Sequence, residues 1–180
     1  MSLVLLVAPS GQGKTVACLR VVELAKSNRL RVSGLLSLPV YQDQDKVAIS
    51  LHDITTGQER ILARKHQPGE KPEVGIWKFD AESLVWGQEV LASLPLSDML
   101  VIDEIGPLEV DMDQGLTNAL DALREKTYRL ALVTLRPSLV EKILEQFKEF
   151  DVSIRVLDKQ NRDTIPDTIV AEVLKLSMYS

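Results

Sequence analysis

The chain is poor in the residues that staple small folds or bind metals. Cys18 is its one cysteine, and it has two histidines. A single thiol excludes an intramolecular disulfide and any metal site built from several cysteines, and it fits a reducing compartment. Long apolar runs are missing too: none approaches the roughly 18 residues that span a bilayer. The opening run Leu3–Val7 is too short for a signal-peptide core, and no basic residue precedes it. A cytoplasmic location with no membrane association is the expectation. Basic residues are the minority charge, 21 against 26 acidic, for a formal net charge of −5. A general nucleic-acid coat needs a net basic surface, so no nucleic-acid partner is expected; a local basic pocket for one anionic ligand remains open.

What is present suits one folded domain, 1–180: the 180 residues are 45% hydrophobic and 26% charged, enough apolar surface to offset chain entropy. Leu3–Val7 is an unbroken apolar run, the pattern of a strand buried on both faces. It ends in the turn signal Pro9-Ser10-Gly11, and from Lys14 to about Ser27 the spacing becomes helical. Further buried-type strands are read at Leu30–Leu38, Met99–Ile102, Leu130–Thr134 and Val152–Leu157. Helices are read at about 80–94, with Asp80 as its cap, and at 111–126, 138–147 and 165–176. This alternation predicts an α/β fold, a mainly parallel sheet covered by helices on both faces. Between about 40 and 79, the alternation at Val47, Ile49 and Leu51, the turn at Thr55-Thr56-Gly57 and the strand-like Ile76–Phe79 read instead as an antiparallel addition at one edge. The Pro- and Gly-bearing stretch 66–74 reads as an exposed, mobile loop.

Between the first strand and first helix lies Ala8-Pro9-Ser10-Gly11-Gln12-Gly13-Lys14-Thr15, a P-loop pattern with Ala at its first position. Glycines at 11 and 13 let the backbone curl so that successive N–H groups face phosphate oxygens. The helix that begins here, with Val16 in its first turn, adds its positive end. Lys14 is expected to reach the β- and γ-phosphates, and the Thr15 hydroxyl to bind Mg2+. A nucleotide enzyme of this kind also needs a carboxylate at a neighbouring strand end, and Met99–Ile102 delivers Asp103 and Glu104 there. Asp103 would hold Mg2+ and Glu104 would orient or deprotonate the attacking water. The second acid tilts the reading toward hydrolysis. A nucleotide or small-molecule kinase, with 66–74 as an acceptor lid, is the rival. A nucleotide-dependent switch or adaptor is the other.

The run Ile102-Asp103-Glu104-Ile105-Gly106-Pro107-Leu108-Glu109 resembles the extended acidic motif of a nucleoside-triphosphatase family that includes thermophilic NTPases and the vertebrate cancer-related nucleoside triphosphatase. Asn161-Arg162-Asp163 resembles that family's Asn-Arg-Asp element, and Gln58–Arg64 its central hairpin. The resemblance implies a RecA-like P-loop fold and slow, Mg-dependent hydrolysis of ATP, GTP and other nucleoside triphosphates to diphosphate and phosphate. By position, it implies phosphate and Mg2+ binding at Gly11, Gly13, Lys14 and Thr15, a metal carboxylate at Asp103 and a catalytic acid at Glu104. The chain departs from the family at Ala8 and at Ser37–Tyr41, where family members often carry a Thr-Glu-Glu-Val-Arg-like stretch.

Charge that develops on a transferring phosphoryl group calls for a nearby cation. Arg136, just past the run Ala131–Leu135, is the favoured catalytic candidate, with Arg162 and Arg64 behind it, although for each a surface or structural arginine is the plainer reading. Asn161 either bonds a nucleobase or caps a turn. Glu109, Asp111 and Asp113 could look like a second metal site, although a solvated helix start is the plainer reading. His52, His66, Trp77 and Trp86 read as packed or solvated side chains, and Cys18 as a small core residue. The oligomeric state is left open.

Overall fold

The computed structural model describes residues 2–71 and 75–178. One eight-stranded sheet runs through them in the order β5-β4-β3-β2-β6-β7-β1-β8. Its parallel part comprises β1 (Ser2–Val7), β6 (Met99–Ile102), β7 (Leu130–Leu135), β8 (Asp151–Val156) and the first half of β2 (Val32–Gln42). Every residue of β1, β6 and β7 is buried. Unbroken apolar strands follow from that position, because both faces are covered. Each fully buried Leu or Val there contributes about 1.5–3 kcal/mol.

Alternate residues of these strands feed two cores. Leu3, Leu5, Leu100 and Val133 face α2 (Ala81–Ala92), α4 (Asn118–Glu125) and α5 (Val140–Gln146). Val4, Leu6, Val101 and Leu132 face α1 (Lys14–Ser27) and α6 (Ile165–Met178), and Cys18 is buried there. The fold class read from the sequence therefore holds. No helix among the described residues is long and apolar enough to cross a membrane.

The antiparallel part is a meander rather than a separate hairpin. β2 continues past its parallel half and pairs along its length with β3 (Asp45–Asp53), starting at Leu35↔Asp53. Next come β4 (Glu59–Lys65) and β5 (Trp77–Phe79). At the junction, Gly34 has φ +119 and an added Cβ would stand 1.9 Å from the Val101 carbonyl oxygen, so only glycine lets β2 lie against β6 there. Asp80 caps α2 as expected, accepting a hydrogen bond from the Ser83 N–H at 2.8 Å.

Two expectations need correction, and a third falls partly outside the described residues. The helix read over 111–126 is broken: α3 (Pro107–Asp111) is followed by a loop, and α4 starts only at Asn118. The Glu109 carboxylate causes the break, accepting from the N–H groups of Gly106 and Leu116 at 2.9 Å each and so folding 106–116 around itself. β8 is an edge strand, not a buried one, with Ile154 42% and Val156 63% exposed. Its β-branched residues reflect strand propensity, which does not say how many neighbours a strand has. The loop read as mobile lies partly outside the described residues, at 72–74. In its described part, Glu70 accepts a two-pronged bond from Arg64 at 2.8 Å each and a third from the Gln67 N–H.

Candidate active site

Because β1, β2, β6, β7 and β8 run parallel, the loops that follow them emerge at one sheet edge. That edge receives Ala8–Lys14 after β1, Asp103 and Glu104 after β6, Arg136 after β7 and Asn161 after β8. Open α/β sheets bind ligands at this edge.

Gly11 and Gly13 have φ +78 and +90, with nothing within 4 Å of an added Cβ, so the space on that side of the loop is open. Gly13 caps α1 without a side-chain hydrogen bond, and the first turn carries no acid. The leading N–H groups thus keep their capacity for an anion. Pro9, Ser10, Gly11, Gln12 and Val16 are exposed, whereas Ala8 is buried as the last residue of the strand run. Lys14 is buried, and its ammonium donates to the carbonyls of Ala8 at 2.9 Å and Pro9 at 3.1 Å, spanning its own loop. Burial lowers its pKa, and the negative charges of Glu104 and then Asp103 oppose that shift.

Asp103 is buried too. Burial raises its carboxyl pKa, against hydrogen bonding from the Thr15 and Thr134 hydroxyls. Thr134 donates to Asp103 Oδ1 at 2.9 Å, while Oδ2 is buried with no hydrogen-bond partner of standard geometry. A buried, half-satisfied carboxylate calls for an explanation, and a bound cation is one of the standard ones. A hard cation that takes one carboxylate, one hydroxyl and phosphate oxygens fits the donor set.

Glu104 stands with φ +69, a left-handed conformation costly for a non-glycine residue. Thr134 holds it there, accepting the Glu104 N–H at 2.7 Å, and the Thr134 carbonyl accepts the Ile105 N–H. The fully buried Thr134 therefore orients both acids at once. Sequence reading missed this residue, although a hydroxyl inside Leu-Ala-Leu-Val-Thr-Leu was a visible signal. The Glu104 side chain accepts from Arg136 Nη2 at 3.0 Å.

The structure brings Lys14, Thr15, Asp103, Glu104 and Arg136 together. Asn161 lies at the same edge, but its side chain shapes the turn after β8: Oδ1 accepts the Asp158 N–H and Nδ2 donates to the Val156 carbonyl. Arg162 contacts Asp163 at 3.8 Å. Arg64 is engaged by Glu70 on the antiparallel side. Asp111 pairs with Lys142, and among the described residues no group of three or more His, Cys, Asp or Glu is placed to hold a metal. Glu109 instead holds the loop amides of Gly106 and Leu116.

A glycine loop opening a helix, with an acidic pair at a nearby parallel strand end, is the architecture of P-loop nucleotide-handling proteins. The chain belongs to the NTPase family, which matches residues 3–170. It is 30% identical over 174 residues to the nucleoside-triphosphatase THEP1 of Thermofilum pendens, spanning 96% of this chain and 95% of that protein. It is also 30% identical to the Archaeoglobus fulgidus THEP1, over 88% of this chain and 91% of that one. Among solved structures, a human cancer-related nucleoside triphosphatase superposes with a TM-score of 0.71 at 26% identity, covering 96% of this chain and 97% of that chain. THEP1 from Aquifex aeolicus, at 18% identity and TM-score 0.69 over 96% and 99% of the two chains, shares the fold.

Proposed function

We propose that this chain is a single catalytic domain that hydrolyses nucleoside 5′-triphosphates, ATP and GTP among them, to diphosphate and phosphate in the presence of Mg2+. The observation that carries the proposal is the buried Asp103 Oδ2, which has no hydrogen-bond partner of standard geometry and lies close to the Thr15 hydroxyl and the lysine of the phosphate loop. The loop amides of 11–15 and the α1 N-terminus cradle the phosphates. Lys14 leaves its two carbonyl partners for phosphate oxygens. Thr15 and Asp103 would hold Mg2+, which would neutralise charge on the triphosphate.

Glu104 orients the water in line with the γ-phosphorus and accepts its proton. In the present geometry Arg136 occupies Glu104. A bound γ-phosphate offers the guanidinium a second anion, which frees the carboxylate for water and places positive charge beside the developing negative charge. Asn161 shapes the turn on the far side of β1, where the nucleoside would rest. The single unpaired thiol, Cys18, supports a cytoplasmic location.

The test is phosphate release from a panel of ribo- and deoxyribonucleoside triphosphates, with Mg2+ and with EDTA. Release from several triphosphates that falls to background in EDTA is expected. Indifference to every triphosphate would overturn the proposal.

A further inference from the structure

Beside Glu104 the sheet edge encloses a cavity of about 150 Å3. Its walls are apolar: Ile49, Leu62, Trp77 and Phe79 from the meander, Leu84 from α2 and Leu116 ahead of α4. Its polar end consists of Ser10 of the phosphate loop, Glu104 and Arg136. The other polar groups on its lining are already engaged. Ser37 donates to the Asp103 carbonyl, Glu109 holds two loop amides, and the Lys46 ammonium sits 5.0 Å over the Trp77 ring.

One attacking water needs roughly 30 Å3 and several polar partners. This space is several times larger, and Ile49, Leu62, Trp77, Phe79, Leu84 and Leu116 supply more apolar lining than one water would use. An apolar cavity of about this size accommodates a benzene ring. Glu104 is the group assigned to the nucleophile, so the cavity opens on the side from which the nucleophile approaches.

We propose that the cavity is an acceptor subsite for a small neutral alcohol with an apolar body of about one six-membered ring. The inference rests on the triphosphatase reading of the same site. The apolar body lies against Trp77, Phe79 and Leu62, and the hydroxyl meets Glu104. The hydroxyl oxygen forms a bond to the γ-phosphorus. The bond from that phosphorus to the β,γ-bridging oxygen breaks, and its electron pair leaves with the nucleoside diphosphate. The hydroxyl proton passes to the Glu104 carboxylate. Products are a phosphate monoester and the diphosphate; water takes the alcohol's place when the cavity holds none.

The experiment incubates the protein with ATP, Mg2+ and benzyl alcohol, 2-phenylethanol or 3-methylbutanol, followed by phosphorus NMR. A monoester signal that saturates with alcohol, while inorganic phosphate falls by the same amount, is expected. Trp77 fluorescence should change over the same range and cease to respond in Trp77→Phe, which leaves Trp86 as the remaining indole. Filling the cavity with Leu84→Trp, or with the milder Leu84→Phe, should cut ester formation at least tenfold relative to hydrolysis in the same sample. No monoester from the wild-type protein with any of the three alcohols, whether or not they bind or inhibit, overturns the acceptor subsite. Phosphate release in alcohol-free buffer reports separately on the triphosphatase reading, so the two failures are distinguishable.

Discussion

The two halves of the sheet use the same strand type for different ends. In the parallel half, β1, β6 and β7 are wholly buried, and β1, β6, β7 and β8 deliver their following loops to one edge. In the antiparallel half, β4 and β5 are partly exposed, and they bring side chains to the wall of a cavity rather than loops to the reaction centre. The difference shows how rigidity is allotted. Groups that must meet a phosphate within tenths of an ångström hang from strands fixed on both faces. Groups that only shape the approach sit on a meander fixed on one face. Changes at the parallel edge should therefore cost turnover far more than comparable changes in the meander.

The sharpest contrast is Lys14→Ala. Removing the one buried cation of the loop should weaken triphosphate binding and lower kcat/KM by about 10²–10³-fold, read by nucleotide titration and phosphate release. Unaltered affinity would break the contrast at its strongest point.

Asp103→Asn should cost about as much turnover or somewhat less, and it should stabilise the nucleotide-free protein. Burial raises the folded pKa of Asp103 above its unfolded value. The ionised form is thus the costly one, and its penalty appears as pH rises from the unfolded value through the folded one. Without nucleotide or Mg2+, the variant should gain about 0.5–2 kcal/mol over wild type at neutral pH and lose that advantage in acid, measured by denaturant unfolding across pH. An advantage that grows in acid would contradict the assignment.

Thr134→Val keeps the shape and deletes the hydroxyl that serves both acids. Turnover should fall about tenfold, with nucleotide affinity changed less. Stability should drop by about 1–3 kcal/mol, because the Glu104 N–H and Asp103 Oδ1 lose their partner. The smallest effect belongs to the meander: Arg64→Ala breaks a half-buried pair with Glu70 away from the reaction centre and should leave kcat nearly unchanged and lower Tm only slightly.

Most of this division was legible in the sequence. Unbroken apolar runs such as Leu-Val-Leu-Leu-Val announce strands buried on both faces. The glycine spacing at 11 and 13 and the acids after Ile102 announce what the strand ends carry. Less legible was anything decided by a partner distant in the chain. The run Val152–Leu157 looks buried because its residues suit a strand, yet nothing local says that the sheet stops there. The helix read through 111–126 fails because the Glu109 carboxylate, outside that window, folds the loop around itself. Thr134 serves residues about thirty positions away, so its role becomes visible only when β6 and β7 lie side by side. The cavity next to Glu104 is built from many separate stretches of chain, from Ser10 to Arg136, and has no local signature.

The central claim is that a phosphate cradle after β1 and an acidic pair after β6, on either side of β7, act together on a triphosphate, with Glu104 on the nucleophile. The most direct measurement is phosphate release by Glu104→Gln alongside equilibrium binding of ATP with Mg2+. Turnover should fall by about 10²–10⁴-fold while ATP still binds within a few-fold of wild type. Release that continues at the wild-type rate would contradict the claim.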